Sequence, residues 1–288
     1  MIAFALGQKG EGECAMATVA NTYVDRMDQP RGMSGTPFAR AVDRWIYVFT
    51  AASFLVITFT GFIPDSLMKV EMVRNGLRPP FPIVLHMHAV LMGSFLLLLL
   101  TQTILVANGR CDLHRRVGIA SMVVVPLLVV VGFVLVPTMY GQVWHGAQAQ
   151  PDNPGMQELL SRVDDIALLQ WRIGFLFPLF IAIGLRARGR NAGFHKRMMI
   201  LATAMAMPAA IDRITWLPTT LPGSAIATDL YTLAIVAPMF IWDVIRNRGV
   251  HKAYWVWLAV NIPFAIAVHG LWDTPWWHAN VPHLMGVA

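Results

Sequence analysis

The sequence predicts an all-α polytopic membrane protein with seven transmembrane helices. Its 288 residues are 56% hydrophobic and only 13% charged, where ordinary soluble domains carry roughly a quarter charged residues. Mean hydropathy is +0.56. The apolar residues also gather in stretches of about 20, the length a helix needs to cross about 30 Å of hydrocarbon.

The chain opens with 1–43, Gly-rich and polar, which reads as a mobile cytoplasmic tail. Met1–Leu6 is too short for the apolar region of a signal peptide, and no small-residue cleavage site follows it. A seven-helix domain over 44–273 comes next, with spans at 44–64, 81–107, 117–140, 166–185, 198–217, 226–245 and 254–272. The polar stretch 141–165 contains QPDNPG and predicts turns. Residues 274–288 read as an extracytoplasmic C-terminal tail.

Lys/Arg counting orients the bundle. The N-terminal segment and the loops after spans two, four and six carry sixteen basic residues; the opposite side carries four, Lys69, Arg74, Arg78 and Arg162. The positive-inside rule then puts the N-terminus in the cytoplasm and the C-terminus outside a bacterial-type inner membrane. The pI of 9.7 reflects these short clusters, which are topology signals and not a nucleic-acid surface. Trp45, Trp144, Trp216, Trp272, Trp276 and Trp277 fall near the expected interfaces, as an aromatic belt does. Cys14 and Cys111 form no CxxC pair and lie on the cytoplasmic side, so inert thiols are expected.

Three cytoplasmic loops end alike, in Leu113-His114-Arg115-Arg116, Phe194-His195-Lys196-Arg197 and Val250-His251-Lys252. Spans two–three, four–five and six–seven therefore read as three related hairpins packed on span one. Contact of each His and its basic neighbours with anionic headgroups explains the same pattern.

Polar residues inside the spans are the functional signal, because hydrocarbon tolerates them poorly. His88, Gln170, Arg172, Asp212, Arg213, Asp229 and His269 all fall in one layer, roughly 5–10 Å below the outer surface at 1.5 Å per residue. Gln102, Asn261 and Asp243 are sparser and deeper or innermost. Arg172–Asp212 and Arg213–Asp229 are the natural ion pairs. Such pairs hold an anionic group, or they simply fix helix register.

His86 and His88 admit three readings: a metal pair in an irregular segment after Pro79, Pro80 and Pro82, one ligand plus one interfacial His, or two hydrogen-bonding residues. The metal candidates are His86, His88 and His269, since imidazole suits Zn, Cu and Fe. Met87, Met92 and Met139 nearby add a weak copper signal. Haem b would need two histidines at matching depth, met by His88 with His269 or by His114 with His195.

The run His86-x-His88-Ala89…Met92…Gln102…Arg110…Leu113-His114-Arg115-x-x-Gly118, followed by Phe194-His195-Lys196-Arg197-Met198-Met199, resembles bacterial multi-pass inner-membrane proteins of unknown function. That resemblance, over about residues 80–215, implies a membrane fold and no particular activity. A fainter likeness to transmembrane b-type cytochromes implies haem, but span four lacks the His that a four-helix haem core would use.

Several classes are excluded. Span seven has no Lys for a retinal Schiff base, and the chain holds no GxxxxGK[ST] and no GxSxG. The leading expectation is a redox or cofactor-binding protein taking haem, copper or quinone. In it His88 and His269 act as ligands or proton-transfer groups, Arg172 and Arg213 hold an anionic or carbonyl group, and Asp212 and Asp229 orient them. A transporter or channel using the same layer is the second reading. A non-catalytic subunit bound to other membrane subunits is the third. All three place the bilayer as the first partner.

Overall fold

The computed structural model describes residues 35–288, which form ten helices and no strand. Six helical segments are long and apolar enough to cross a membrane. These are α1 (Pro37–Arg74), α2 (Ile83–Ala107), the run Cys111–Ala149 built from α3 (Cys111–Gly118) and α4 (Ser121–Ala149), α5 (Pro154–Arg186), α8 (Ile226–Asn247) and α9 (Lys252–Leu271). Val56, Phe59, Leu97, Val123, Val130, Ile241 and Ile266 lie outward on them, more than half exposed. In water such a surface would be a liability; against lipid it needs no cover.

The fifth expected span, 198–217, is not among the six. It is divided into α6 (Ala192–Ala204) and the single turn α7 (Pro208–Ile211). Between them the N–H groups of Met205, Ala206 and Met207 donate to carbonyls three residues back, which is the tighter 3₁₀ pattern. Pro208 stands at the break, where it has no N–H to donate and its ring collides with the carbonyl four residues earlier, although prolines inside α1, α4, α5, α8 and α9 leave those helices continuous. The segment is central despite its interruption. α6 packs on α1, α5, α8 and α9, and Met198, Ile200, Leu201, Ala202, Thr203 and Ala204 are buried.

Two contacts set its course. Arg197 in α6 pairs with Asp243 near the end of α8, and Asp212 after α7 accepts the Thr228 hydroxyl near the start of α8. The residues between the contacts number the same on both strands of this antiparallel pair, so segment and α8 run side by side over about 22 Å at 1.5 Å per residue. Small residues allow the approach. A Cβ on Gly61 of α1 would sit 2.1 Å from the Ala210 carbonyl oxygen, and one on Gly184 of α5 would meet Met198 at 3.3 Å. Close backbone contact is how helices associate where burial in lipid gives little gain.

Several elements differ from expectation. Helix begins at Pro37, capped by Thr36, inside the expected tail; residues 1–34, including Cys14, lie outside the described residues. α1 is 38 residues long, roughly 57 Å, and runs well past 64. The stretch 141–165 is mostly helix: α4 continues to Ala149, and α5 starts at Pro154 behind the Asn153 cap. The QPDNPG motif does break the chain, but only over 150–153, because Asn at N-cap and Pro at N1 start a helix as readily as they end one. Residues 275–284 are not a tail but α10 (Pro275–Leu284), docked on α5 through buried Trp277 and Val281. Of the expected belt, Trp45, Trp216 and Trp276 are exposed, whereas Trp272 and Trp277 are buried and donate to the carbonyls of Pro222 and Asp164. Cys111 is disulfide-bonded, against the expectation of an inert thiol.

Candidate functional site

α8 carries two acids, Asp229 and Asp243, almost four turns apart and so on nearly one face. Each is clasped by an arginine and by a side chain of α9. At the C-terminal end of α8, Arg197, 4% exposed, gives Asp243 two hydrogen bonds of 2.6 and 2.8 Å, and the Tyr254 hydroxyl adds a third at 2.6 Å. Arg197 also donates to the Gly193 carbonyl at 2.9 Å. This clasp is dry and complete. It explains the HKR motif without headgroups: the arginine turns inward.

At the N-terminal end of α8, Arg172 of α5, 3% exposed, grips both carboxylate oxygens of Asp229. His269 of α9 reaches the same carboxylate through Nε2 at 2.9 Å. Three helices thus meet at one carboxylate. Unlike the clasp at Asp243, this one has an open side: His269 is 32% exposed and Asp229 21%.

Five of the expected site residues lie at this end of the bundle, in a different pairing. Arg172 pairs with Asp229, not Asp212. Arg213 pairs with Asp65 at 3.2 Å, not with Asp229, and lies over the Phe62 ring at 4.5 Å. Asp65 also holds Lys69 at 2.7 Å. Asp212 takes only the Thr228 hydroxyl, at 2.7 Å. The rotation of each helix decides this: α1 extends past 64 and brings Asp65 to Arg213, leaving Asp229 to α5 and α9.

The histidines of α2 stand apart. His86 is exposed, edge-on to Phe81 at 6.2 Å. His88 faces Gly132 of α4, and its buried Nδ1 has no hydrogen-bond partner. Both lie in regular helix, which points them about 200° apart, so the paired metal site in an irregular segment does not form. α2 packs on α1, α3 and α4, whereas α9 packs on α5 and α6, so His88 and His269 belong to different helix neighbourhoods. Haem bridging them therefore fits poorly, and His269 already commits Nε2 to Asp229.

A second cluster went unread in the sequence. Asp164 and Asp165 of α5, both buried, face Asp273 and His278 around the start of α10. Asp164 Oδ1 accepts the Tyr140 hydroxyl at 2.7 Å, and its Oδ2 lies 2.9 Å from His278 Nδ1. His278 Nε2 is 3.3 Å from Asp273 Oδ1. The Asp273 N–H donates to Asp165 Oδ1 at 2.8 Å. Burial by itself would lower the basicity of His278, but the hydrogen bonds to Asp164 and Asp273 and the charges of Asp165 and Asp164 outweigh it and raise it. The clue in the sequence was the adjacent pair Asp164-Asp165 at a helix end together with Asp273…His278 after span seven.

Several buried polar atoms elsewhere in the bundle have no partner among the described residues. Both amide atoms of Gln102, the Nδ1 of His114 and the Oδ1 of Asn261 are buried without partners. The three loop histidines play three different parts. His114 is unpartnered at Nδ1, His195 Nδ1 meets the Gly184 carbonyl at 2.8 Å, and His251 caps α9 by accepting the Ala253 N–H.

Compared with known proteins, the chain matches no family model, no curated protein and no solved structure.

Proposed function

We propose that this protein binds a polar cofactor or substrate at Asp229 and uses His269 to pass a proton to or from it, as part of a redox reaction in the membrane. The observation that carries the proposal is the half-open triad Arg172–Asp229–His269. A clasp built only for stability would be closed on every side, as the one at Asp243 is. Arg172 holds both oxygens of Asp229, and Asp229 fixes the ring of His269 through Nε2. An imidazole held in this way and still open to solvent suits general acid–base work near neutral pH. Among the expected groups, a quinone carbonyl suits the triad better than haem iron or copper, because Nε2 of His269 is not free to ligate.

The membrane setting is the bacterial-type inner membrane, with the N-terminus cytoplasmic, and α6–α7 is the interrupted fifth of seven crossings. The shared length of that segment and α8 supports the crossing.

Purification in mild detergent, followed by a reduced-minus-oxidised optical spectrum and organic extraction, tests the reading. The expected result is no b-type band pair, a co-extracted quinone, and loss of that quinone in His269→Ala. A sharp b-type spectrum abolished by His88→Ala would replace quinone with haem.

One set of observations favours transport as a second reading. Broken helices at membrane depth line cavities in transporters, and Gln102 and Asn261 are orphaned in the way a hydrated path would satisfy. Water-accessible cysteines at positions 102 and 261 in vesicles would support transport; inert ones would remove it.

A further inference from the structure

The donors at the junction of α5 and α10 are those of a metal centre. One oxygen each of Asp165 and Asp273 and one ring nitrogen of His278 lie within 4.8 Å of one another. A tetrahedral ion with donors at about 2.0–2.2 Å needs them about 3.3–3.6 Å apart. Asp273 Oδ1 already stands 3.3 Å from His278 Nε2, and the Asp273 side chain, 74% exposed, has room to turn toward Asp165.

Two further observations separate this site from a simple group of acids. The first is the partner of the imidazole. His278 meets the buried carboxylate of Asp164 through Nδ1 at 2.9 Å, and Asp164 is itself fixed by the Tyr140 hydroxyl. An imidazole held through one nitrogen by a carboxylate presents the other nitrogen in a set direction, which is the usual support of a metal-bound histidine. The second is charge. Asp164 and Asp165 are 5% and 4% exposed, and no Lys or Arg among the described residues forms an ion pair with either of them or with Asp273. Asp165 receives one backbone N–H at Oδ1, and no described group hydrogen-bonds its other oxygen. Three carboxylates thus face a single imidazole, and buried charge is normally paired or bound to a metal.

We infer that Asp165, Asp273 and His278 Nε2 form a binding site for a divalent transition-metal ion on the outer face, with Asp164 and Tyr140 as positioning residues. One nitrogen and two oxygens suit Zn²⁺ or Mn²⁺. The ion would fasten α10 and the Asp273 turn to α5. This site is separate from the triad at Asp229, so either proposal can fail without the other.

The test uses the full chain in detergent, stripped with chelator, dialysed, and titrated with ZnCl₂ and with MnCl₂ alone. The expected result is one equivalent bound per chain and a raised melting temperature that saturates with the metal. Asp273→Asn, an exposed change that leaves the fold intact, should weaken binding at least tenfold. Asp164→Asn should weaken it about 10–100-fold while keeping all three ligands. Asp212→Asn, in the other polar cluster, should leave binding unchanged. No retained metal in the wild type, or equal affinity in wild type and Asp273→Asn, would overturn the site and leave an ion-pair network only.

Discussion

Arg172 and Arg197 show how one residue type serves two ends. Both are almost fully buried and both hold a carboxylate on α8. Asp243 is saturated by Arg197 and Tyr254, so removing it strands a guanidinium in a dry site. Asp243→Ala should therefore destabilise by about 3–5 kcal/mol, the usual cost of breaking a buried pair. The double change Arg197→Met with Asp243→Leu should recover most of that loss, measured by thermal unfolding in detergent. Gly61 is a second sharp test. Gly61→Ala forces a methyl against the Ala210 carbonyl and should cost roughly 1–3 kcal/mol or more as overpacking. Gly93→Ala meets nothing within 4 Å and should be neutral or slightly stabilising, as Ala is the better helix former. Position along each helix was legible in the sequence: Arg172, Asp229 and His269, expected at one level, are in contact, and Asp212 and Arg213 lie at the same end of the bundle. Rotation about each helix was not. At equal depth Asp212 and Asp229 are equivalent partners for Arg172, and only packing chooses between them.

Helices α1, α4, α5 and α10 show what hydropathy can and cannot report. It registers contact with lipid, so it found the apolar part of each span and stopped there. The ends of α1, α4 and α5 and all of α10 are broken up by polar residues, whether partly covered by protein, as at buried Tyr140, Ala147 and Trp277, or exposed, as at Leu67 and Met68, and a helix of mixed polarity carries no such signal. The reverse holds for 198–217. Its composition is apolar enough for a span, but the helix tightens and breaks over 205–207, just before Pro208. Trp277 is the peg that joins α10 to α5, buried and hydrogen-bonded to the Asp164 carbonyl at 2.7 Å. Trp277→Ala should cost about 3–5 kcal/mol of local packing. Hydrogen exchange of 275–288 should then rise well above that of α9, while α6 keeps its protection. Equal protection in α10 would mean that the His278 contacts alone hold it.

For the molecule as a whole, the distribution of basic residues is the argument for which face is inside. Sixteen basic residues against four, summed over the N-terminal segment and three short loops, favour a cytoplasmic side for Arg110, Arg115 and Arg116. Orientation also decides what the two outer clusters can meet. With the N-terminus inside, the triad at Asp229 and the cluster at Asp165 face the periplasmic side, where a metal is taken up without crossing the bilayer. With the opposite orientation both would face the cytoplasm. Single cysteines at 152 and 189, introduced into a Cys14→Ser, Cys111→Ser background, separate the two. A membrane-impermeant maleimide added to intact cells should label position 152 and not 189, with 189 reacting only after lysis. Labelling of 189 in intact cells would invert the bundle.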